Sequence, residues 1–158
     1  HVLFFSERFV PESYVSLEGV RMSIYKSLSC APSLNDLDYI LSNLEDRFGP
    51  APEPLINLIK EFRLRLKAAA SGFISIVRRG CGVVCSFENY KHKGDANVLI
   101  DWVRVFWRET KYEFHFLPSN KPGCFVCLHL NENKDSYSLL SGFIDKFRSL
   151  EKINYEDV

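Results

Sequence analysis

Four of the five cysteines fall in two close pairs, and four thiolates are a common ligand set for structural zinc. The pairs are Cys81 with Cys85, and Cys124 with Cys127. Both pairs lie in β-rich segments, where successive side chains alternate between the two faces of a sheet. Cys81 and Cys85 would share one face, whereas Cys124 and Cys127, three positions apart, would point to opposite faces. We therefore expect four small apolar core residues and no metal, with a zinc site as the alternative.

The other reactive residues form no catalytic arrangement. His115 and His129 lie inside predicted strands, and no serine, cysteine or aspartate stands at a spacing that would pair a nucleophile with a base. The Gly-Cys-Gly segment at 80–82 lacks the third glycine and the helix start of a dinucleotide site, and no Walker lysine motif occurs. We expect no catalytic residue, no cofactor and no nucleotide binding in this chain.

Basic residues gather in two loops of the second half. The possible patch, with one tyrosine inside it, consists of Arg78, Arg79, Tyr90, Lys91, His92 and Lys93. Such a patch could contact a nucleic-acid backbone, although solvated turns are the simpler explanation. The 20 Lys and Arg are balanced by 20 Asp and Glu, whereas phosphate neutralisation normally requires a basic excess. A nucleic-acid-contacting module that uses these loops is the alternative function, and direct DNA binding is not expected.

The first half of the chain is predicted to form three helices. The first starts at residue 16 and carries an apolar stripe formed by Leu17, Val20, Ile24 and Leu28. Ser33 and Asp36 have a spacing like that of a capping box and open the second helix, which Gly49 ends. Prolines at the start of the third helix cost no hydrogen bond there, and this helix ends before Gly72. Short turns between the helices predict one bundle.

The hydrophobic period changes after Gly72 from helical to strand-like. The predicted strands cover residues 73–77, 81–87, 112–117 and 124–130; a helix is predicted at 95–107 and another closes the chain. The predicted class is α+β, a three-helix bundle followed by a ββαββα antiparallel or mixed sheet with helices on one face. We expect a helical subdomain with an N-terminal extended segment over residues 1–72 and a sheet subdomain over residues 73–158, packed as one compact domain.

Composition places the chain among ordinary globular proteins. Its 158 residues are 46% hydrophobic and 25% charged, which suits one compact domain with a core. No apolar run approaches the length of a membrane span, and an odd number of cysteines suits reduced thiols in a cytoplasm. The chain opens at His1 without an initiator methionine or a signal sequence. We expect a soluble, cytoplasmic piece of a larger protein.

Two stretches of the helical half are more specific than composition. The first reads Phe-Val-Pro-Glu-Ser-Tyr-Val over residues 9–15, followed by Gly-Val-Arg-Met-Ser-Ile-Tyr-Lys over 19–26. The second reads Leu-Glu-Asp-Arg-Phe-Gly-Pro-Ala-Pro-Glu-Pro over 44–54, followed by Arg-Leu-Arg over 63–65. Together they resemble the C-terminal domain of the bacterial transcription-repair coupling factors, the Mfd or TRCF family, whose pattern includes Tyr-Ile-Pro-x-x-Tyr-Ile and Leu-x-Asp-Arg-Phe-Gly-x-x-Pro. The resemblance covers residues 2–72, and beyond them it rests on the order of elements.

This resemblance implies a function in nucleotide excision repair. Members of the family are ATP-dependent DNA translocases that remove stalled RNA polymerase and recruit the repair protein UvrA. Their C-terminal domain is not the motor. It docks on a UvrB-like N-terminal module of the same protein and masks the surface that UvrA needs. The resemblance thus implies that this chain is a non-catalytic, autoinhibitory docking domain without a membrane partner.

The docking contact of the family maps onto the end of the second predicted helix. Asp46 takes the position of the acidic residue before Arg-Phe-Gly. Asn43 stands where relatives often carry Glu, which would weaken the electrostatic contact or shift part of it to Glu45. From the residues alone two other interpretations stay open. The acids could form a solvated helix face, or Arg47 could pair locally while Phe48 locks the helix end into the bundle.

Overall fold

The computed structural model describes residues 2–80, 82–87, 114–117, 124–129 and 136–153. Four helices lie within them: α1 (Glu18–Cys30), α2 (Leu34–Phe48), α3 (Glu53–Ala70) and α4 (Ser136–Ile153). The strands are β1 (Val2–Leu3), β2 (Phe73–Arg79), β3 (Gly82–Phe87), β4 (Phe114–Leu117) and β5 (Cys124–His129). The predicted α+β class is confirmed. The helix predicted at 95–107 lies outside the described residues, so the full ββαββα order stays a prediction.

The ends of α2 follow from local chemistry that the sequence carries. Ser33 caps the helix, because its Oγ accepts a hydrogen bond from the backbone N–H of Asp36 at 3.3 Å. Gly49 ends it with a φ of 86°, a left-handed conformation that favours glycine, and the N–H of Gly49 donates to the carbonyl of Glu45 at 2.9 Å. The last turn of α2 is therefore fixed in position relative to the chain that follows.

The first helix differs from its prediction at its start. Leu17 was expected on the buried stripe, but it is the residue before the helix and is 68% exposed. Ile24 and Leu28 are buried as the periodicity indicates. The buried stripe of α1 thus begins one turn later. Leu17 has an extended backbone, so its side chain does not follow the rotation of 100° per residue that aligns side chains on a helix.

The strands form one mixed sheet in the order β1, β2, β3, β5, β4. β1 pairs with β2 in parallel, with Val2 opposite Ile76, and the other pairs are antiparallel. The turn between β2 and β3 is tighter than predicted. Residues 78 and 79 were expected in a loop, but both lie in β2 and pair with Val83 and Gly82 of β3. The strands extend to the turn because Gly80, with a φ of 58°, allows the chain to reverse directly after them.

Two clusters of buried side chains form the interior of the described residues. The helical cluster lies among α1, α2 and α3, with Leu37 and Leu55 fully buried. The sheet cluster joins β1, β2, β3 and α4 and includes Leu64 and Ala68 from the end of α3. Helix α3 therefore contributes to both clusters, since Ile59 belongs to the first and Leu64 to the second. None of the described helices has the length and apolar character that a bilayer span requires.

Candidate docking surface

The four residues expected at the docking contact lie in the last turns of α2. Asn43, Glu45, Asp46 and Arg47 are all exposed, whereas Leu44 between them is buried. We call this group of exposed residues the α2 end surface. The amphipathic pattern of α2 positions it, because burial of one apolar face presents the opposite face to solvent.

Asp46 lies on the outermost line of the helix. At about 100° per residue, Asp46 is rotated by about 180° from Leu37 and about 200° from Leu44, the two buried residues of α2. Its carboxylate therefore projects directly away from the helical cluster. This orientation suits a contact with another molecule.

The other three acids of α2 are used within the chain. Asp36 hydrogen-bonds with Ser33 at the start of the helix, and Asp38 forms a salt bridge with Arg63 of α3. Oε1 of Glu45 accepts a hydrogen bond from the N–H of Ala51 at 3.3 Å. Among the described residues, Asp46 alone of these acids has no hydrogen bond or salt bridge. The structure thus separates Asp46 from Glu45, which sequence reasoning had grouped together.

Asp46 also stands at an unfavourable place in its helix. The C-terminal end of a helix carries a partial negative charge, so an acid in the last turn costs about 0.3–1 kcal/mol where it is not compensated. Asp46 is in that turn, and the basic residue beside it, Arg47, directs its guanidinium to the ring of Phe48, 4.9 Å from the ring centroid. An acid that brings no visible benefit to the fold is a candidate for a role outside it.

Asn43 and Arg47 are one turn apart on α2 and lie beside α1. Both line a shallow groove between α1 and α2, together with Ser23 and Ser27 of α1. Phe48, under the Arg47 guanidinium, packs against the helical cluster and lies 5.7 Å from the Tyr14 ring. Arg47 therefore has a packing contact of its own with Phe48.

Tyr14 fixes the last turn of α2 from the outside. Its hydroxyl donates toward two backbone carbonyls, of Gly49 at 2.7 Å and of Leu44 at 3.1 Å. Burial raises the pKa of the Tyr14 hydroxyl, and the nearby Glu45 carboxylate raises it further, so the group stays a neutral donor at ordinary pH. Sequence reasoning placed Tyr14 in the family motif without this role.

The segment that carries Tyr14, residues 4–15, is held by side chains rather than by regular structure, and we call it the strap. Oε2 of Glu61 accepts hydrogen bonds from the N–H groups of Phe4 at 3.1 Å and Phe5 at 3.4 Å. Oε1 of Glu61 forms a salt bridge with Arg8 at 2.9 Å. Sequence reasoning missed Glu61, which links the strap to α3 and so connects the sheet cluster with the α2 end surface.

Comparison with known proteins identifies the family of this chain. The family model of the TRCF domain matches residues 6–98, more than half of the chain and including the whole α2 end surface. The chain belongs to the TRCF domain family. The transcription-repair-coupling factor of Escherichia coli (strain K12) is 31% identical over 87 residues, which are 55% of this chain and 8% of that protein. The Haemophilus influenzae factor is 31% identical over 88 residues, 56% of this chain and 7% of that protein.

The fold of this TRCF domain also matches a solved structure. The crystal structure of the C-terminal domain of transcription-repair coupling factor superposes with a TM-score of 0.75 at 18% identity, over 100% of this chain and 95% of that one. At this identity the match concerns the fold. Since the chain spans less than a tenth of the length of the curated relatives, at 8% and 7%, what those whole proteins do passes to it only as a proposal.

The structure describes only part of the possible basic patch of the TRCF domain. Arg78 and Arg79 are exposed at the end of β2, and the Arg78 guanidinium lies over the Phe4 ring at 5.6 Å. Lys91 and Lys93 lie outside the described residues. The structure brings Arg78 to the strap, and the nucleic-acid alternative, which needs the loop at 90–93 as well, stays a prediction.

The cysteines of the TRCF domain are placed by the sheet. Cys85 is buried in the sheet cluster, and Cys81 lies outside the described residues. On β5, Cys124 is opposite Phe87 and Cys127 is opposite Val84. Over the parts of the chain that the structure describes, no group of three or more His, Cys, Asp and Glu could hold a metal ion. The zinc alternative therefore needs its own measurement.

Proposed function

We propose that this TRCF domain is a non-catalytic regulatory domain of a transcription-repair coupling factor. It docks on a UvrB-like N-terminal module of the same protein and masks the surface that UvrA requires. The parent protein is then an ATP-dependent DNA translocase that removes stalled RNA polymerase, and release of the domain makes UvrA binding possible. The three-helix bundle and the ββαββα sheet, with a boundary near residue 72, act together as one docking unit.

The observation that carries this proposal is the Asp46 carboxylate. It projects away from the domain, has no partner among the described residues, and stands in the segment that matches the family model. An exposed carboxylate of this kind pairs well with an arginine of a partner surface. Such pairs contribute more to specificity and association rate than to affinity, which suits an intramolecular contact that must open again.

The proposal is tested in the full-length protein with Asp46→Ala and Asp46→Lys. Loss of the pair, and still more the introduced repulsion, should release the domain and increase UvrA binding, with the larger increase for Asp46→Lys. Glu12→Lys is the matched control, because Glu12 is an exposed acid of the strap and is not one of the residues of the α2 end surface. UvrA binding that is unchanged in both Asp46 variants, with the domain still folded, would contradict the proposal.

A further inference from the structure

Helix α2 exposes one large aromatic side chain. Tyr39 is 70% exposed on an otherwise polar outer face. Single exposed apolar residues are common on protein surfaces and usually need no explanation. Two further observations set Tyr39 apart from that background.

The first observation is that Tyr39 differs from the other described tyrosines. The Tyr14 hydroxyl lies within hydrogen-bond distance of two carbonyls, and the Tyr25 hydroxyl accepts a hydrogen bond from the N–H of Val10 at 2.8 Å. The Tyr137 ring lies near Phe5 and under the Lys60 ammonium. Within the described residues, Tyr39 makes no hydrogen bond, ring contact or cation contact. Among the described tyrosines, Tyr39 is therefore the one whose ring exposes its apolar surface to solvent.

The second observation is the alignment of Tyr39 with the α2 end surface. Tyr39, Asn43 and Asp46 stand at positions i, i+4 and i+7, so they form one line on the helix, which we call the Tyr39 stripe. At 1.5 Å per residue, Asn43 lies about 6 Å and Asp46 about 10.5 Å along the axis from Tyr39. An aromatic face, an amide and a carboxylate thus follow one another over a length that two side chains of a partner could cover.

The aromatic ring, amide and carboxylate of the Tyr39 stripe are together suited to binding arginine side chains. A guanidinium stacks on an aromatic face, and its N–H donors match amide and carboxylate oxygens. Nucleic acid fits poorly, because a base stacked on Tyr39 would bring its phosphates toward the Asp46 carboxylate, and no cation lies on the stripe itself.

We propose that Tyr39 anchors the docking contact by packing against an arginine-bearing protein surface, with Asp46 pairing at the other end of the stripe. This inference rests on the proposed function and adds the residue that supplies most of the contact energy. Buried tyrosines are among the residues whose truncation weakens interfaces most, and a single exposed ion pair contributes little.

The test measures UvrA affinity of the full-length protein carrying Tyr39→Ala, Tyr39→Phe, Asp46→Lys or Met22→Ala. Met22 is the matched control, since it is 61% exposed on α1 and lies off the stripe. When the closed state dominates, a weaker docking contact raises apparent UvrA affinity by the same factor. We expect at least a tenfold increase for Tyr39→Ala, a change within twofold for Tyr39→Phe, and none for Met22→Ala.

The outcomes separate the two proposals. An increase for Asp46→Lys without one for Tyr39→Ala would overturn the anchoring role and leave the docking function in place. An increase for Tyr39→Phe as large as that for Tyr39→Ala would contradict an anchor that works through the ring. No increase in any variant, with all of them folded, would reject docking and the Tyr39 anchor together.

Discussion

Replacing Asp46 should affect stability and docking in opposite directions. If Asp46 serves the fold, its loss destabilises the domain; if it serves a partner, its loss does not. The sign of the change in unfolding free energy therefore distinguishes the two roles. Asp46 lies in the last turn of α2, where the helix dipole disfavours an acid, and it has no compensating contact among the described residues.

The size of the expected change in stability follows from the interaction of residue 46 with the dipole of helix α2. Removing the negative charge with Asp46→Asn should stabilise the domain by about 0.5 kcal/mol, and reversing it with Asp46→Lys by about 1 kcal/mol, at low ionic strength. For a domain of this length, about 1 kcal/mol corresponds to an increase in Tm of about 2–4 °C. The gain should shrink in 1 M salt, where the Debye length falls to about 3 Å.

Urea denaturation of the 158-residue chain measures these differences, with the m-value as a check that both states are unchanged. Glu12→Gln is the control, since Glu12 is exposed and belongs to no helix, and it should shift the unfolding free energy by less than about 0.5 kcal/mol. A loss of more than about 1 kcal/mol for Asp46→Asn would refute the reasoning and assign Asp46 a structural role.

Further predictions concern the strap, the cysteines and the basic loops. Glu61→Ala should cost about 3 kcal/mol of unfolding free energy, because it leaves two N–H groups without their acceptor and removes the salt-bridge partner of Arg8. A cost below about 1 kcal/mol would contradict this. Tyr14→Phe should cost about 1 kcal/mol near pH 8. Since the folded-state pKa of Tyr14 is raised, its contribution is complete below the ordinary pKa of about 10 and is lost as pH rises through the raised value. The stability difference between wild type and Tyr14→Phe should therefore narrow above pH 10, and a difference that widens there would be inconsistent with the raised pKa. Metal analysis of the purified chain should find far less than one zinc per chain, whereas about one would establish the cysteine site. A gel-shift titration with labelled DNA should show no shift at micromolar protein, and a salt-dependent shift would favour the nucleic-acid alternative.

Local signals in the sequence predicted both ends of helix α2. The Ser33 cap and the Gly49 stop act through neighbouring backbone atoms, so their residue types define the ends of α2 without reference to the rest of the fold. The same periodicity placed Leu44 inside and Asp46 outside. The position of the α2 end surface on the exposed side of the helix could therefore be predicted from the sequence.

Contacts between distant parts of the chain could not be predicted in this way. Val2 pairs with Ile76, and Glu61 binds the N–H groups of Phe4 and Phe5, but neither contact leaves a periodic signal. The distinction between Glu45 and Asp46 likewise depends on where the N–H of Ala51 lies. Tyr39 did carry a signal, an aromatic residue on the polar face of an amphipathic helix, and a search for such exceptions would have found it.

The central claim is that this TRCF domain and UvrA compete for one surface. The most direct measurement is capture of the UvrB-like N-terminal module of the same protein by the 158-residue chain, with increasing UvrA as competitor. The docking account predicts that the module is captured and that UvrA displaces it in proportion to its concentration. Absence of capture, or capture that saturating UvrA leaves unchanged, would contradict the account.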